Sequence, residues 1–428
     1  MTPSGTSAAC HIPAIFRTDI MCSPILGRGL VTAMGQRWKH GRQMLKPAFH
    51  FDSLRRLLPV FTQAAQRLCV QWSKQPASSP VELGLTFRTV TLEVISEVAV
   101  GLDSSKASVL PVLFEAVLDE LNQRVMKPWR AYMPLEAEHQ RKLSALNNLV
   151  FEIIAQRRAA RAKNGGRSLA ADEASSGNAT AAALGGDMLD LMLDHEAAHP
   201  EEGKLSDDVI ADELKTMLLA GHETSSMMML WSCYLLAKHP AELAKARAEV
   251  DEALGGYSDP TGDWADYNAY KGLEYLECVM KEAMRLYTPV PVLTRDTLET
   301  TKLCGKTVPK GSCVVMSCWA LHRDAEVWGE DCDEFRPERF GKEGSKGRHP
   351  FAYIPFSEGT RNCIGRNLAL VEAKVVLGTI LQRWNLELTE GPGGSGAKLR
   401  ADGRVETDCY IIPVRPDGGL WVKVTPRK

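Results

Sequence analysis

The window Phe356-Ser357-Glu358-Gly359-Thr360-Arg361-Asn362-Cys363-Ile364-Gly365 holds the strongest chemical signal in the chain. Most cysteines are small buried hydrophobes, and the other ten are read that way. Cys363 has different neighbours. Gly359 and Gly365 allow tight backbone close to a bulky planar group. Arg361 can project a positive charge beside the sulfur, and helical periodicity begins just after it. A helix start directs free N–H groups and the positive end of its dipole at what precedes it, which favours thiolate over thiol. A thiolate turned outward in this way suits the axial position of a haem iron. Elsewhere, Glu282-Ala283-Met284-Arg285 sets a carboxylate and a guanidinium on one helix face. Read alone, such a pair is solvated and worth little. Ala220-Gly221-His222-Glu223-Thr224-Ser225 interrupts a long apolar helix. A polar patch is ordinarily an exposed face, but apolar residues flank this one on both sides, so it is expected inside. Gly221 costs about 1 kcal/mol against Ala in a helix interior, which points to close approach by another group. Thr224 can bond back to a carbonyl and loosen the helical ladder. His222 is not read as a metal ligand.

Phe356, Gly359, Arg361, Cys363 and Gly365 together resemble the haem-binding loop of the cytochrome P-450 family, the haem-thiolate monooxygenases. At about one in twenty per position, a chance match in a chain of this length is on the order of one in ten thousand. The resemblance runs over about residues 25–425. It implies haem b held by the Cys363 thiolate as metal ligand, dioxygen as co-substrate, and insertion of one oxygen atom into a hydrophobic small molecule such as a lipid, fatty acid or sterol. Glu223 and Thr224 match the family's acid–alcohol pair, which is implied to pass the protons that break the O–O bond. Glu282 and Arg285 match its Glu-x-x-Arg. With Arg339 of Pro337-Glu338-Arg339-Phe340 they are implied to form a buried triad that holds the strand-rich segment against the haem loop. Trp38 and Arg42 match its Trp-x-x-x-Arg helix. With Arg295 and Arg361 they are implied to neutralise the haem propionates.

No Gly-rich dinucleotide fingerprint follows a strand, and no flavin segment is visible. Electrons are therefore expected from NADPH through a separate flavoprotein reductase, docking near Cys363 with Arg366 and Lys374 as contacts. Members of the eukaryote-like type carry a membrane anchor, a Pro-rich hinge and early strands and helices before the Trp-x-x-x-Arg helix. Trp38 comes early by that measure, so those elements are expected to be missing, and with them one side of a sheet. Membrane association at the endoplasmic reticulum is implied by the resemblance alone. Two alternatives stand beside the monooxygenase: a haem-binding protein of the same fold without turnover, and a peroxide isomerase that needs no reductase. The Glu223-Thr224 pair favours the monooxygenase over both.

These residues require elements to hold them. Helical patterns are predicted over 35–51, 52–73, 84–101, 109–127 and 136–163. A long helix starts at a Ser206 cap, carries Asp207 and Asp208 in its first turn and stops at Pro240. Leu214, Met217, Leu218, Met228, Trp231 and Leu235 mark its buried stripe. Helices are also predicted to about 254, over 272–287 and over 364–384. Short strands are predicted within 292–321 and 386–424. Residues 164–186, rich in Ala, Ser and Gly, read as a flexible loop inside one domain, and the sequon Asn178-Ala179-Thr180 within it is taken as chance. The expected fold is mainly α with a small β portion, a single domain with a long central helix over the haem and the thiolate loop before a C-terminal helix.

The 428 residues are 44% hydrophobic and 24% charged, enough apolar mass for a large core. Lys+Arg is 51 against Asp+Glu 53, a net charge of -2 that lacks the basic excess of a nucleic-acid binder. No uncharged apolar run reaches the length of a membrane-spanning helix, and no signal peptide is visible. Eleven scattered cysteines argue for a reducing, intracellular compartment over a disulfide framework.

Overall fold

A computed structural model describes residues 23–427 apart from 77–78, 102–108, 127–128, 131–132, 134, 165–185, 256–266, 401–403 and 410–412. The loop expected at 164–186, with its sequon, therefore lies almost wholly outside the described residues. Along the chain come α1 (Ser23–Leu26), α2 (Gly35–Leu45), α3 (Phe51–Arg56), α4 (Leu58–Ser73), β1 (Val81–Glu82), α5 (Leu83–Val100), α6 (Val109–Met126), α7 (Leu135–Lys163) and α8 (Met188–Ala198). The central helix α9 spans Asp207–Lys238, followed by α10 (Pro240–Ala253), α11 (Tyr267–Lys271) and α12 (Glu274–Leu286). Then come β2 (Val292–Asp296), β3 (Thr301–Leu303), β4 (Lys306–Val308), β5 (Cys313–Ser317), α13 (Cys318–Leu321) and α14 (Ala325–Trp328). The chain closes with α15 (Arg366–Arg383), β6 (Trp384–Thr389), β7 (Thr407–Cys409), β8 (Val414–Pro416) and β9 (Trp421–Pro426).

Local chemistry sets the ends of α9. The Ser206 hydroxyl accepts from Val209 N–H, and two aspartates occupy the first turn. Pro240 cannot extend the ladder, so the helix stops at Lys238 after 32 residues, about 48 Å at 1.5 Å per residue. Its predicted stripe is buried throughout, each such side chain contributing roughly 1.5–3 kcal/mol. Helix α5 packs closest to α9. A Cβ on Gly221 would come within 2.7 Å of Ile95 Cγ1, so Ile95 is the close approach the glycine signalled. Thr91 Oγ1 also donates to the His222 carbonyl at 2.9 Å.

The sheets are small and antiparallel. β9 lies between β1 and β6, with Val422 opposite both Val81 and Leu388. β2 pairs with β5, placing Arg295 opposite Val314. Glu82 switches the chain from strand to helix, its carboxylate accepting from Gly84 and Leu85 N–H at the start of α5.

Several boundaries differ from expectation. The helix expected over 52–73 breaks at Leu57, where Pro59 restarts it in its first turn. The helix expected to reach 51 tightens into a 3₁₀ turn at Lys46–Phe49, with Pro47 in its first turn. Residues 318–321 form the short helix α13, capped by Ser317, instead of continuing a strand. The strand β1 carried no periodicity of its own, being two residues long. No described helix is long and apolar enough to cross a membrane.

Candidate active site

The loop before α15 is a tight hairpin. Cys363 N–H donates to the Phe356 carbonyl at 2.8 Å, and Asn362 N–H donates to Gly359 at 3.1 Å. Gly359 has φ +82°, a left-handed conformation that favours glycine. Gly365 has φ −85°, and a Cβ there would sit 3.9 Å from Cys363 Sγ in ordinary contact, so its own backbone does not demand glycine. α15 has no side-chain cap, and the Gly365 and Arg366 N–H groups turn to the sulfur instead. Burial pushes the Cys363 thiol pKa up; the N–H groups of Gly365 and Arg366 and the Arg42 and Arg366 charges pull it back toward thiolate. The cysteine nonetheless keeps exposed surface.

Helix α2 supplies the flank of this loop. Two guanidinium groups lie over the Trp38 ring, Arg361 Cζ 4.1 Å and Arg42 Cζ 5.7 Å from its centroid. Arg42 donates to the Asn362 carbonyl at 2.7 Å and to its Oδ1 at 2.5 Å, and Arg361 donates to the Ala33 carbonyl at 2.8 Å. Trp38, Arg42, Arg361 and Cys363 thus converge from α2 and the loop. Arg295, on β2, donates to its own neighbour's carbonyl, Thr294, at 2.7 Å. It is not hydrogen-bonded to the Trp38 group among the described residues.

On α9, successive residues face different ways. Ala220 is exposed, and Gly221 and Thr224 are partly so; His222 and Glu223 are fully buried. Thr224 Oγ1 donates back to the Ala220 carbonyl at 2.8 Å. Glu223 Oε1 lies 2.5 Å from Arg415 Nη2 and 3.3 Å from His222 Nε2. Burial would raise the Glu223 pKa, but the hydrogen bonds and charges of His222 and Arg415 overcome it and hold it at about 2.

The third group lies on α12. Arg285 grips both oxygens of Glu282, Nε to Oε2 at 2.7 Å and Nη2 to Oε1 at 2.8 Å, with both residues fully buried. Arg339 Nε lies 3.4 Å from Glu282 Oε1, and Arg336 N–H donates to that oxygen at 2.9 Å. Arg285 also donates to the carbonyls of His322, Cys332 and Glu334. From here two contacts reach toward the cysteine loop. His322 Nε2 accepts from Ile354 N–H at 3.0 Å, and Tyr353 Oη donates to the Lys281 carbonyl at 2.9 Å. Burial, then the Arg285 and Arg323 charges, push the His322 pKa down to about 3, so the ring is neutral and can accept.

Arg415, Asn362, His322 and Tyr353 escaped the sequence reading. Arg415 lies 192 positions from its partner, and no local pattern links such distant charges. Lys374, expected on a docking face, is a correction. It is buried, with Nζ 2.7 Å from Glu277 and donating to the Lys271 carbonyl at 2.9 Å, because it ties α15 to α11 and α12. Arg366 is exposed.

The donor set suits a haem: one sulfur supported by N–H groups, cations beside a tryptophan, and small residues on the open face of α9. A family profile described as Cytochrome P450 matches residues 13–394. The chain is 32% identical over 416 residues to Cytochrome P450 4V2 of Mus musculus, covering 94% of this chain and 75% of that protein. It is 29% identical to the Ultra-long-chain fatty acid omega-hydroxylase of Homo sapiens, covering 94% and 73%. It superimposes on the crystal structure of the cytochrome P450DA heme domain with a TM-score of 0.78 and 27% identity, covering 98% of this chain and 84% of that one. With a family profile over most of its length, relatives of this identity and this fold, the chain belongs to the cytochrome P450 family of haem-thiolate monooxygenases.

Proposed function

We propose that Cys363 is the axial thiolate of haem b and that the protein inserts one atom of dioxygen into a lipid, with a fatty acid as the leading substrate class. The observation that carries this reading is the Cys363 loop, where two backbone N–H groups and the Arg42 charge pull toward thiolate against the burial that raises the thiol pKa, on a sulfur that keeps exposed surface. The haem, when bound, supplies the activation of dioxygen, favoured by electron donation from the thiolate. Phe356, Gly359 and Gly365 shape the loop around the sulfur. Trp38, Arg42, Arg361 and Arg295 would hold the haem's propionate carboxylates as cations or hydrogen-bond donors. Glu223 and Thr224 move protons, Glu223 as an ionised carboxylate that accepts one and passes it on and Thr224 by the hydroxyl on the open side of α9. Glu282, Arg285 and Arg339 hold the 318–340 segment, and through His322 the approach to the loop. Electrons come from NADPH through a separate flavoprotein reductase. One domain carries all of this. The fatty-acid reading is supported by the human omega-hydroxylase relative.

The test is the carbon monoxide difference spectrum of the reduced protein, followed by turnover of a fatty-acid series with reductase and NADPH. The expected result is the haem-thiolate band, lost in Cys363→Ser, and hydroxylated products of one or more chain lengths. An unaltered band in Cys363→Ser would sink the ligand assignment. A haem-thiolate band without NADPH-dependent product would leave a haem-binding protein or a peroxide isomerase, told apart by adding a fatty-acid hydroperoxide.

A further inference from the structure

Three histidines meet where α2 lies against α8. His195 sits on α8 and His199 caps its C-terminal end, four positions on and so a neighbour on the same face. Their rings stack with centroids 4.2 Å apart and planes 21° apart. His40 of α2 meets the His195 ring edge-on at 5.1 Å. All three are half-buried, so solvent reaches the group. The His195 carbonyl lies 3.0 Å from His199 Nδ1 and can only accept, so in the neutral ring the proton sits on Nδ1 and the lone pair on Nε2. Metal-ligating histidines are oriented in this way, one ring nitrogen donating to a carbonyl or carboxylate while the other binds. With Zn–N bonds of about 2.0–2.1 Å, two imidazoles at tetrahedral positions have centroids about 5 Å apart. The His40–His195 pair already has that spacing. The stacked pair needs to open by about 1 Å, within reach of the soft χ2 torsion of histidine. Both helices have anchors of their own. Arg158 and Arg161 of α7 hold α8 through Glu196 and Asp194, and Arg42 ties α2 to the Asn362 carbonyl. Glu115, His222 and Glu223 also bring ligand atoms within 4.8 Å of one another, but Arg88 and Arg415 already engage those two carboxylates.

We propose that His40, His195 and His199 form a binding site for a divalent transition-metal ion, with Zn²⁺ the foremost. Imidazole nitrogens suit zinc, and three of them leave the fourth tetrahedral position to a water on the exposed side. The ion ties α2, which carries Trp38 and Arg42, to α8. The site is separate from the Cys363 loop and stands or falls independently of the monooxygenase reading.

The test uses tag-free holoenzyme dialysed against micromolar Zn²⁺, with bound metal counted by mass spectrometry. The wild type is expected to take up one Zn²⁺ per chain. His40→Ala, His195→Ala and His199→Ala are each expected to weaken that binding by roughly a hundredfold, at the upper end of what an outer-shell change costs. Their carbon monoxide difference spectra should match the wild type, which shows that they fold. No uptake by the wild type, or equal uptake in His195→Ala, overturns the proposal. So does loss in the His195 and His199 variants with none in His40→Ala, since the site would then not join the two helices. Zinc K-edge absorption of the wild type needs no variant and is not obscured by haem iron. It is expected to show a nitrogen and oxygen shell at about 2.0–2.1 Å with scattering from three imidazoles. Sulfur in that shell would place the ion at a cysteine, and scattering from a single imidazole would place it at Glu115, His222 and Glu223; either result overturns the proposal.

Discussion

Thr224 and Glu223 are neighbours in the chain but part company in space: the carboxylate is sealed against Arg415 and His222, and the hydroxyl folds back to Ala220 on the open side of α9. The hydroxyl bond is local and weak, so Thr224 is free to exchange its partner without disturbing the buried charges. Thr224→Ala is therefore expected to fold and retain haem while diverting reducing equivalents to hydrogen peroxide. The check is peroxide against hydroxylated product per NADPH consumed, and unchanged coupling would count against the role. What could be read at this level from sequence was local. The Cys363 loop and the Thr224 back-bond follow from neighbours within a few positions, and Gly221 signalled a close approach without naming Ile95 as its source. Arg415 and Asn362 did not follow, because their partners lie 192 and 320 positions away and reach them only through folding.

Between elements, the buried Glu282 carboxylate joins α12 to the segment holding Arg336 and Arg339. Removing one member of a buried ion pair leaves the other charge uncompensated, a cost of about 3–5 kcal/mol. Glu282→Ala is expected to yield protein that cannot retain haem, measured as haem per polypeptide, and normal occupancy would refute the structural role. A second junction joins α9 to the chain after α1. Glu213 accepts from Leu30 N–H at 2.8 Å, and a Cβ on Gly41 would approach its Oε1 within 2.7 Å, so α2 also lies against it. Burial raises the Glu213 pKa from 4.5 to about 7 against the pull of the Leu30 N–H and the Arg37 charge. Between those two values the folded chain keeps a proton that the unfolded chain releases, so stability falls as pH rises through that window and levels off above it. Glu213→Gln keeps the acceptor and removes the titration. Its urea midpoint is expected to gain on the wild type from pH 5 to pH 7, with no further gain by pH 8. The long helices were legible because capping and period are local signals. The strand β1 was not, since its partner β9 lies at the far end of the chain.

Taken as a whole, the long helix α9 is packed against several of the other helices and is also met by strand residues, Arg415 and Val414 of β8 among them. The sequence foresaw this class through the length of α9 and the loop before α15. It misjudged which basic residues face outward, because Lys374 shares the helical neighbourhood of Arg366 but is turned inward to Glu277. If reductase docks beside Cys363, Arg366 is the contact to test. Arg366→Gln is expected to raise the reductase KM severalfold at low salt and to lose that difference at high salt, as a screened surface charge should. The carbon monoxide difference spectrum should stay unchanged. Equal KM values at low salt would remove this face from consideration.

Arg285 gathers carbonyls of His322, Cys332 and Glu334 around a single guanidinium while it holds Glu282. Those three carbonyls belong to an irregular stretch with little ladder of its own. Its final conformation therefore depends on contacts with α12. In a pulse-labelled hydrogen-exchange experiment, amides of α12 should gain protection before those between Cys332 and Arg339.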